Sequence, residues 1–165
     1  MRQSKSTTTE KRWTQPMLLL GVLTLAVAWM GCQPKDERPG LWLRGEASEG
    51  QIGDWRLARD VEEIFIETRP WYRIPHSTTI WCVELDGALY IGSYGDEKKR
   101  WERNLERNPE ARLRIAGKIY QVRVAPVTGR DLIDALDAAY AQKYDMAEVF
   151  GDEIPPWWYY RIGDR

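Results

Sequence analysis

The sequence predicts a mainly β domain with two helices, built as a small antiparallel barrel that is closed or partly split. Three features carry this expectation. Two stretches, Ser77 to Ser93 and Ala111 to Val127, each alternate in side-chain character about a central turn, the mark of a β-hairpin. A basic helical stretch lies between them, and a second, apolar-striped helix follows. Six to eight mostly hairpin-joined strands in that order suit a small barrel better than an open sheet or a βαβ layer.

Taken in chain order, Leu41 to Glu46 predicts a first short strand and Ala47 to Gly53 a loop. Trp55 to Ala58 and Glu63 to Thr68 carry aromatic and β-branched residues and predict two more strands. Pro70 and Pro75 resist ladder pairing, so residues 69–75 connect rather than pair. In the first hairpin Thr79, Trp81, Val83 and Leu85 alternate with Ile80, Cys82 and Glu84, and Asp86-Gly87 suits a tight turn with positive φ. Asp96 to Arg107 predicts the first helix, stopped by Asn108-Pro109. That start places Asp96 and Glu97 in its first turn, where they would stabilise the dipole themselves and repel a phosphate. The second hairpin turns at Gly117-Lys118. Thr128-Gly129-Arg130-Asp131 fits a helix start, and Leu132, Ile133, Leu136, Ala139 and Tyr140 then form one apolar stripe that predicts core packing. The tail Trp157-Trp158-Tyr159-Tyr160 is too aromatic to be left in water, so it closes over the barrel or sits at an interface.

Composition bounds the function. A chain of 165 residues supports one domain with a real core. Nine Trp and eight Tyr against two Phe favour rims, interfaces and ring-binding clefts, because these rings pair a large apolar body with a polar tip. With 24 basic and 25 acidic residues the chain lacks the basic excess that nucleic-acid binding needs. A single histidine, His76, leaves no Cys/His metal cluster to assemble and reads as a polar residue entering the strand after Pro75. Cys82, in an apolar strand, reads as a small buried hydrophobe rather than a reactive thiol. No side chain stands out as a catalytic acid, base or nucleophile.

The N-terminus points out of the cytoplasm. Met1 to Pro16 carries Arg2, Lys5, Lys11 and Arg12 against Glu10, and Met17 to Cys32 is uncharged and mostly apolar. A basic region before such a run is an export signal, too short at 16 residues for a comfortable bilayer span of about 20. Its end at Gly31-Cys32 resembles a bacterial lipoprotein signal, in which the Cys becomes the lipidated first residue. Trp29 stands where such signals usually have Leu. An uncleaved N-terminal anchor and a soluble secreted protein are the alternatives. The expected organisation is an export signal over 1–31, a tether over 32–40 and a barrel domain over 41–165, held by Cys32 on the periplasmic side of the bacterial cell envelope.

From roughly residue 64 to 144 the chain resembles the split-barrel flavin-binding superfamily, the group around pyridoxamine-phosphate oxidase and the deazaflavin-dependent nitroreductases. The resemblance rests on the hairpin Thr79 to Ser93, the run Lys98-Lys99-Arg100-Trp101-Glu102-Arg103-Asn104-Leu105-Glu106-Arg107-Asn108-Pro109, and the strand Ala111 to Ile115. Trp42-Leu43-Arg44-Gly45-Glu46 through Pro75-His76-Ser77 also looks like an uncharacterised bacterial lipoprotein branch of that superfamily. It implies an FMN-binding-like fold that takes FMN or a related flavin. The flavin phosphate would sit at a strand end and helix start near Ser93, Lys98, Lys99 and Arg100, where backbone N–H groups and cations favour an anion. Trp81 or Trp101 would flank the planar ring, and Asn104 would donate to its oxygens or orient the helix. Members are often dimers with ligand sites between subunits, which implies a homodimer.

Two functions follow. One is a membrane-tethered flavin-dependent oxidoreductase acting on a small organic molecule, with the cofactor carrying the chemistry. The other is a cofactor-free barrel that uses its aromatic tail and barrel mouth to hold a ligand or a partner protein; it loses that motive if the tail packs wholly inside its own monomer.

Overall fold

The computed structural model describes residues 40–48 and 52–165. The expected export signal over 1–31, the lipidation candidate Cys32 and the expected tether up to residue 39 lie outside the described residues.

Alternation builds the sheet. Seven strands form: β1 (Glu46–Ala47), β2 (Glu63–Thr68), β3 (His76–Leu85), β4 (Ala88–Tyr94), β5 (Glu110–Ile115), β6 (Lys118–Pro126) and β7 (Trp157–Asp164). Six of them close a ring in the order β2, β3, β4, β7, β6, β5, and every pairing in that ring is antiparallel. This is the expected split barrel. β7 pairs with β6 only over Val122 to Pro126, and the parallel two-residue β1 joins β6 at Lys118 and Ile119 instead. Ile64 and Ile66, Ile80 and Cys82, Leu89 and Ile91, Leu113 and Ile115, Val122 and Val124, and Tyr160 and Ile162 are all buried in one cluster, the barrel interior. Each pair is two residues apart, the strand period read from the sequence.

Turn chemistry fixes the registers. Asp86 and Gly87 both take positive φ, 52° and 79°, the two-residue turn whose twist matches a hairpin. The second hairpin turns at Ala116-Gly117, with φ of 48° and 82°, one residue earlier than Gly117-Lys118. Ile115 is thereby paired with Lys118.

Among the described residues there are also three helices: α1 (Arg100–Arg107), α2 (Arg130–Lys143) and α3 (Met146–Phe150). α1 links the end of β4 to the start of β5 and so crosses one end of the barrel. It starts four residues later than expected, which leaves Asp96 and Glu97 in the preceding bend rather than in its first turn. α2 lies on the outside and buries Leu136 and Tyr140 against Val83, Tyr90 and Tyr159. α3 is an addition to the two expected helices; Asp145 caps it by accepting the Glu148 N–H at 3.0 Å.

Two expected strands change. Arg56–Ala58 is a single 3-10 turn, because Ala58 N–H bonds back to Trp55 C=O at 2.8 Å and Trp55 buries its ring instead of pairing. Leu41 to Glu46 pairs only at its last residue. Its Leu43 N–H donates to the buried Glu67 carboxylate at 2.7 Å, which Arg112 also holds at 2.9 Å. The aromatic tail is the start of β7: Tyr160 is buried inside the barrel, Tyr159 is buried outside it under α2, and Trp157 and Trp158 are half-buried. The tail does not pack wholly inside the monomer, because Trp157 and Trp158 keep part of their surface exposed.

Candidate functional site

A buried carboxylate organises the barrel mouth. Glu102, on the first turn of α1, is fully buried and accepts four hydrogen bonds. Ser93 Oγ donates at 2.8 Å, Lys99 N–H at 2.7 Å and Tyr160 O–H at 2.8 Å, and Trp158 Nε1–H is the fourth donor. One acid thus ties the helix start to β4 and β7. Asn104 adds a second tie, donating from Nδ2 to Thr68 Oγ1 at 3.0 Å. Trp101 and Leu105 pack into the interior, with Trp101 edge-on to Tyr160 at 5.3 Å. The helix is held as a lid whose N-terminus points to one side of the mouth.

A cleft of about 510 Å³ opens on that side, within the ~300–1,000 Å³ range of ligand pockets. Trp81, Tyr94 and Trp157 supply aromatic walls, Lys99, Arg100 and Trp101 line the helix side, and His76 to Ile80 line a polar edge. Gly92 lets the walls close in: a Cβ there would meet the Trp157 ring at 2.7 Å and the Tyr140 ring at 3.0 Å. Behind the walls, Trp81 stacks flat on Tyr144, with centroids 4.4 Å apart and planes 4° apart. Trp157 in turn contacts Trp81, Tyr94, Tyr140, Phe150 and Tyr159, so the cleft wall is backed by packed rings. This outer cluster accounts for much of the chain's Trp and Tyr.

Lys99 and Arg100 make the helix side of the cleft cationic, while Glu63 also lines it. The Lys99 ammonium sits 3.7 Å from the centre of the Tyr94 ring, and burial lowers its pKa while Glu102 works the other way. Arg100 is exposed at the first helical position, where the leading N–H groups of α1 have no intrahelical acceptor. Two buried polar atoms among the lining residues, Ser77 Oγ and Trp157 Nε1, have no hydrogen-bond partner. Such atoms cost stability unless something fills their valence. At the outer edge, the Tyr72 hydroxyl lies 2.5 Å from His76 Nε2, which fixes the His76 ring at the start of β3.

Of the seven sequence-derived candidates, the fold brings Trp81, Lys99, Arg100 and Trp101 to the cleft. Ser93 and Asn104 are buried and bound to Glu102 and Thr68, and Lys98 pairs with Glu106 on the solvent side of the helix. These three hold or flank the helix rather than line the cleft. Sequence reasoning missed Glu102, Gly92, Trp157 and the polar edge Ser77 to Thr79. An acid three residues after the helix-start Lys99, and a glycine inside a strand, were the available signals. Among the described residues, no group of three or more His, Cys, Asp or Glu is placed to hold a metal ion, and no helix is long and apolar enough to cross a membrane.

Comparison with known proteins finds a family and distant structural likenesses. The model of a family described as an uncharacterized protein conserved in bacteria (DUF2255) matches residues 57–154. No curated protein matches the chain. Among solved structures, a protein of unknown function from Agrobacterium tumefaciens aligns at TM-score 0.49 and 20% identity, covering 61% of this chain and 47% of that one. The chain therefore spans about half of that protein's length. A NimC/NimA family protein from Clostridium acetobutylicum aligns at TM-score 0.47 and 15% identity, over 62% of this chain and 73% of that one. An FAD-binding protein from Mesorhizobium loti aligns at TM-score 0.48 and 13% identity, over 67% and 84%.

Proposed function

The chain belongs to this bacterial family, DUF2255, and from that premise we propose that its mouth cleft binds a flavin-type nucleotide, FMN or a related flavin, in the service of an oxidoreductase acting on a small organic molecule. One observation carries the reading: aromatic walls and a cationic helix start converge on one cleft of suitable size. The resemblance of residues 79–115 to split-barrel flavin proteins supports it from the sequence side.

The residues fit such a group. Lys99, Arg100 and the leading N–H groups of α1 would hold the phosphate by charge-assisted hydrogen bonds. Trp81, Trp101 and Trp157 would bound the planar ring. When bound, a flavin supplies the electron-transfer chemistry. The chain's own part is positional: Glu102 fixes the helix start that carries the cations, and the ring cluster behind Trp81 and Trp157 keeps water from the far side of the cleft. The late start of α1 removes Asp96 and Glu97 from the helix terminus, and with them the acidic first turn expected from the sequence.

The placement proposed for this activity is the cell envelope, with the domain held to the membrane through residues 1–32 as a lipoprotein or an uncleaved anchor. It rests on that stretch of sequence alone. A homodimer is proposed with it, on the resemblance to the superfamily.

An absorbance spectrum of freshly purified protein tests the cofactor reading. Bands of an oxidised flavin or deazaflavin that stay with the chain through gel filtration are expected. A colourless preparation that also leaves added FMN free would remove the reading.

A further inference from the structure

The same end of the barrel exposes a set of large apolar side chains that the cleft does not use. Trp71 is 80% exposed, Trp42 57%, Ile74 49%, Leu41 44% and Tyr72 39%. They come from two segments that the fold brings to one edge. Trp71, Tyr72 and Ile74 lie on the β2–β3 connection, and the bond from Ser77 N–H to Gly40 C=O, at 3.2 Å, seats Leu41 and Trp42 beside the start of β3.

The connection is built, not loose. Pro70 and Pro75 are buried at its two ends, and Arg73 N–H closes a four-residue turn onto Pro70 C=O at 3.0 Å. Arg73 takes a φ of 63°, an unfavourable conformation for a residue with a Cβ. Trp71 meets Tyr72 edge-on at 5.4 Å, and Tyr72 is fixed in turn by His76. A strained, hydrogen-bonded turn thus holds two aromatic rings out in water. The two segments themselves carry only positive charge: Arg44, Arg69 and Arg73 are exposed, and residues 40–44 and 69–75 contain no Asp or Glu, although Glu110 lines a cleft with Arg69.

This edge is also where the N-terminal segment enters the domain. Gly40 follows Cys32 by eight residues, so at ~3.3–3.6 Å per residue it stays within about 30 Å of Cys32. Resting on the anchored reading of residues 1–32, we propose that Trp42, Trp71, Tyr72 and Ile74, with Arg69 and Arg73, form a collar that docks on an anionic lipid surface. Trp and Tyr favour the headgroup level, where one side of the ring is apolar and the other wet, and arginines are attracted to anionic headgroups. A second copy of the chain fits the collar less well. A two-fold contact through it would set the arginines of one protomer against those of the other.

The test uses the full chain with vesicles of phosphatidylethanolamine and phosphatidylglycerol carrying brominated acyl chains, which quench tryptophans at the lipid surface. Quenching is expected in the native chain, with a loss in Trp71→Ser and in Trp42→Ser and a larger loss in the double substitution. Quenching left unchanged by all three substitutions overturns the collar. So does a native dimer that the double substitution converts to monomers, because the occupant would then be a second copy. Alkaline carbonate extraction reads the anchor separately: release from membranes defeats the anchored reading, whereas the quenching differences report on the collar alone.

Discussion

Replacing Glu102 with Gln keeps the side chain's shape and removes its charge, which isolates what the buried carboxylate does. One oxygen faces the Lys99 N–H and the Ser93 hydroxyl, the other the Trp158 Nε1–H and the Tyr160 hydroxyl. The hydroxyls can turn to accept, but the peptide and indole N–H groups only donate. Either orientation of the amide therefore sets its NH2 against one fixed donor, leaving a buried group unsatisfied at about 1–3 kcal/mol. The surviving bonds fall from charge-assisted to neutral strength, a further loss of about 1 kcal/mol each, and relief of the buried charge returns part of it. A net destabilisation of about 2–4 kcal/mol follows, or a fall in Tm of roughly 10 °C in a thermal melt of a domain this size. Glu102→Ala, which orphans all four donors and opens a cavity, should be worse. If Glu102→Gln melts within about 2 °C of the native chain, the carboxylate does not hold the mouth helix and the basis for the cleft's rigidity is wrong.

Other outcomes follow from the same geometry. Lys99→Ala and Arg100→Ala should each weaken FMN binding about tenfold and leave riboflavin binding nearly unchanged, because only the phosphate meets these cations; paired fluorescence titrations check this. Gly92→Ala puts a methyl group into the Trp157 and Tyr140 rings and should destabilise by about 1–3 kcal/mol while distorting the cleft wall, seen as lower Tm and weaker ligand binding together. Ala116→Gly removes the strain of a left-handed Ala at the second hairpin turn and should raise Tm by about 2–5 °C. Burial pushes the Cys82 thiol up to about 11 and also raises the Tyr140, Tyr144, Tyr159 and Tyr160 hydroxyls. Unfolding lets these groups ionise near pH 9–10, so their contribution is fully present below about pH 9 and is lost as pH rises toward about 11. Melts from about pH 8 to about pH 10.5 should show that fall, and thiol reagents should miss Cys82 at about pH 8 until the chain unfolds.

Local chemistry made the barrel legible. The alternation that turns every second residue of β3 to β6 into the barrel, the Asp86-Gly87 turn and the apolar stripe of α2 are properties of neighbouring residues, and the structure keeps each of them. Long-range pairing was harder to read. Trp55 carries a strand-like residue type, yet tertiary packing against Tyr120 at 5.6 Å decides its conformation. The tail's aromatic run declared that it must be buried but not where, because insertion of β7 between β4 and β6 pairs residues far apart in the chain, such as Leu89 with Ile162. The site divided along the same line. Lys99, Arg100 and Trp101 follow from a basic helix start, and Trp81 from a strand face. Ser93 and Asn104 looked like ligand-binding groups until Glu102 and Thr68 took up their hydrogen bonds. A fully buried acid in a helix of five charged residues gives no sequence signal beyond its spacing from Lys99.

The cleft's occupant is the central claim, and titration of FMN into the purified chain tests it most directly. Saturable quenching of flavin fluorescence is predicted, since the ring would lie against Trp81, Trp101 and Trp157, and Arg100→Ala should shift the curve to higher FMN. Flavin and deazaflavin emission that stays unchanged across the titration, with the chain folded, would contradict the account.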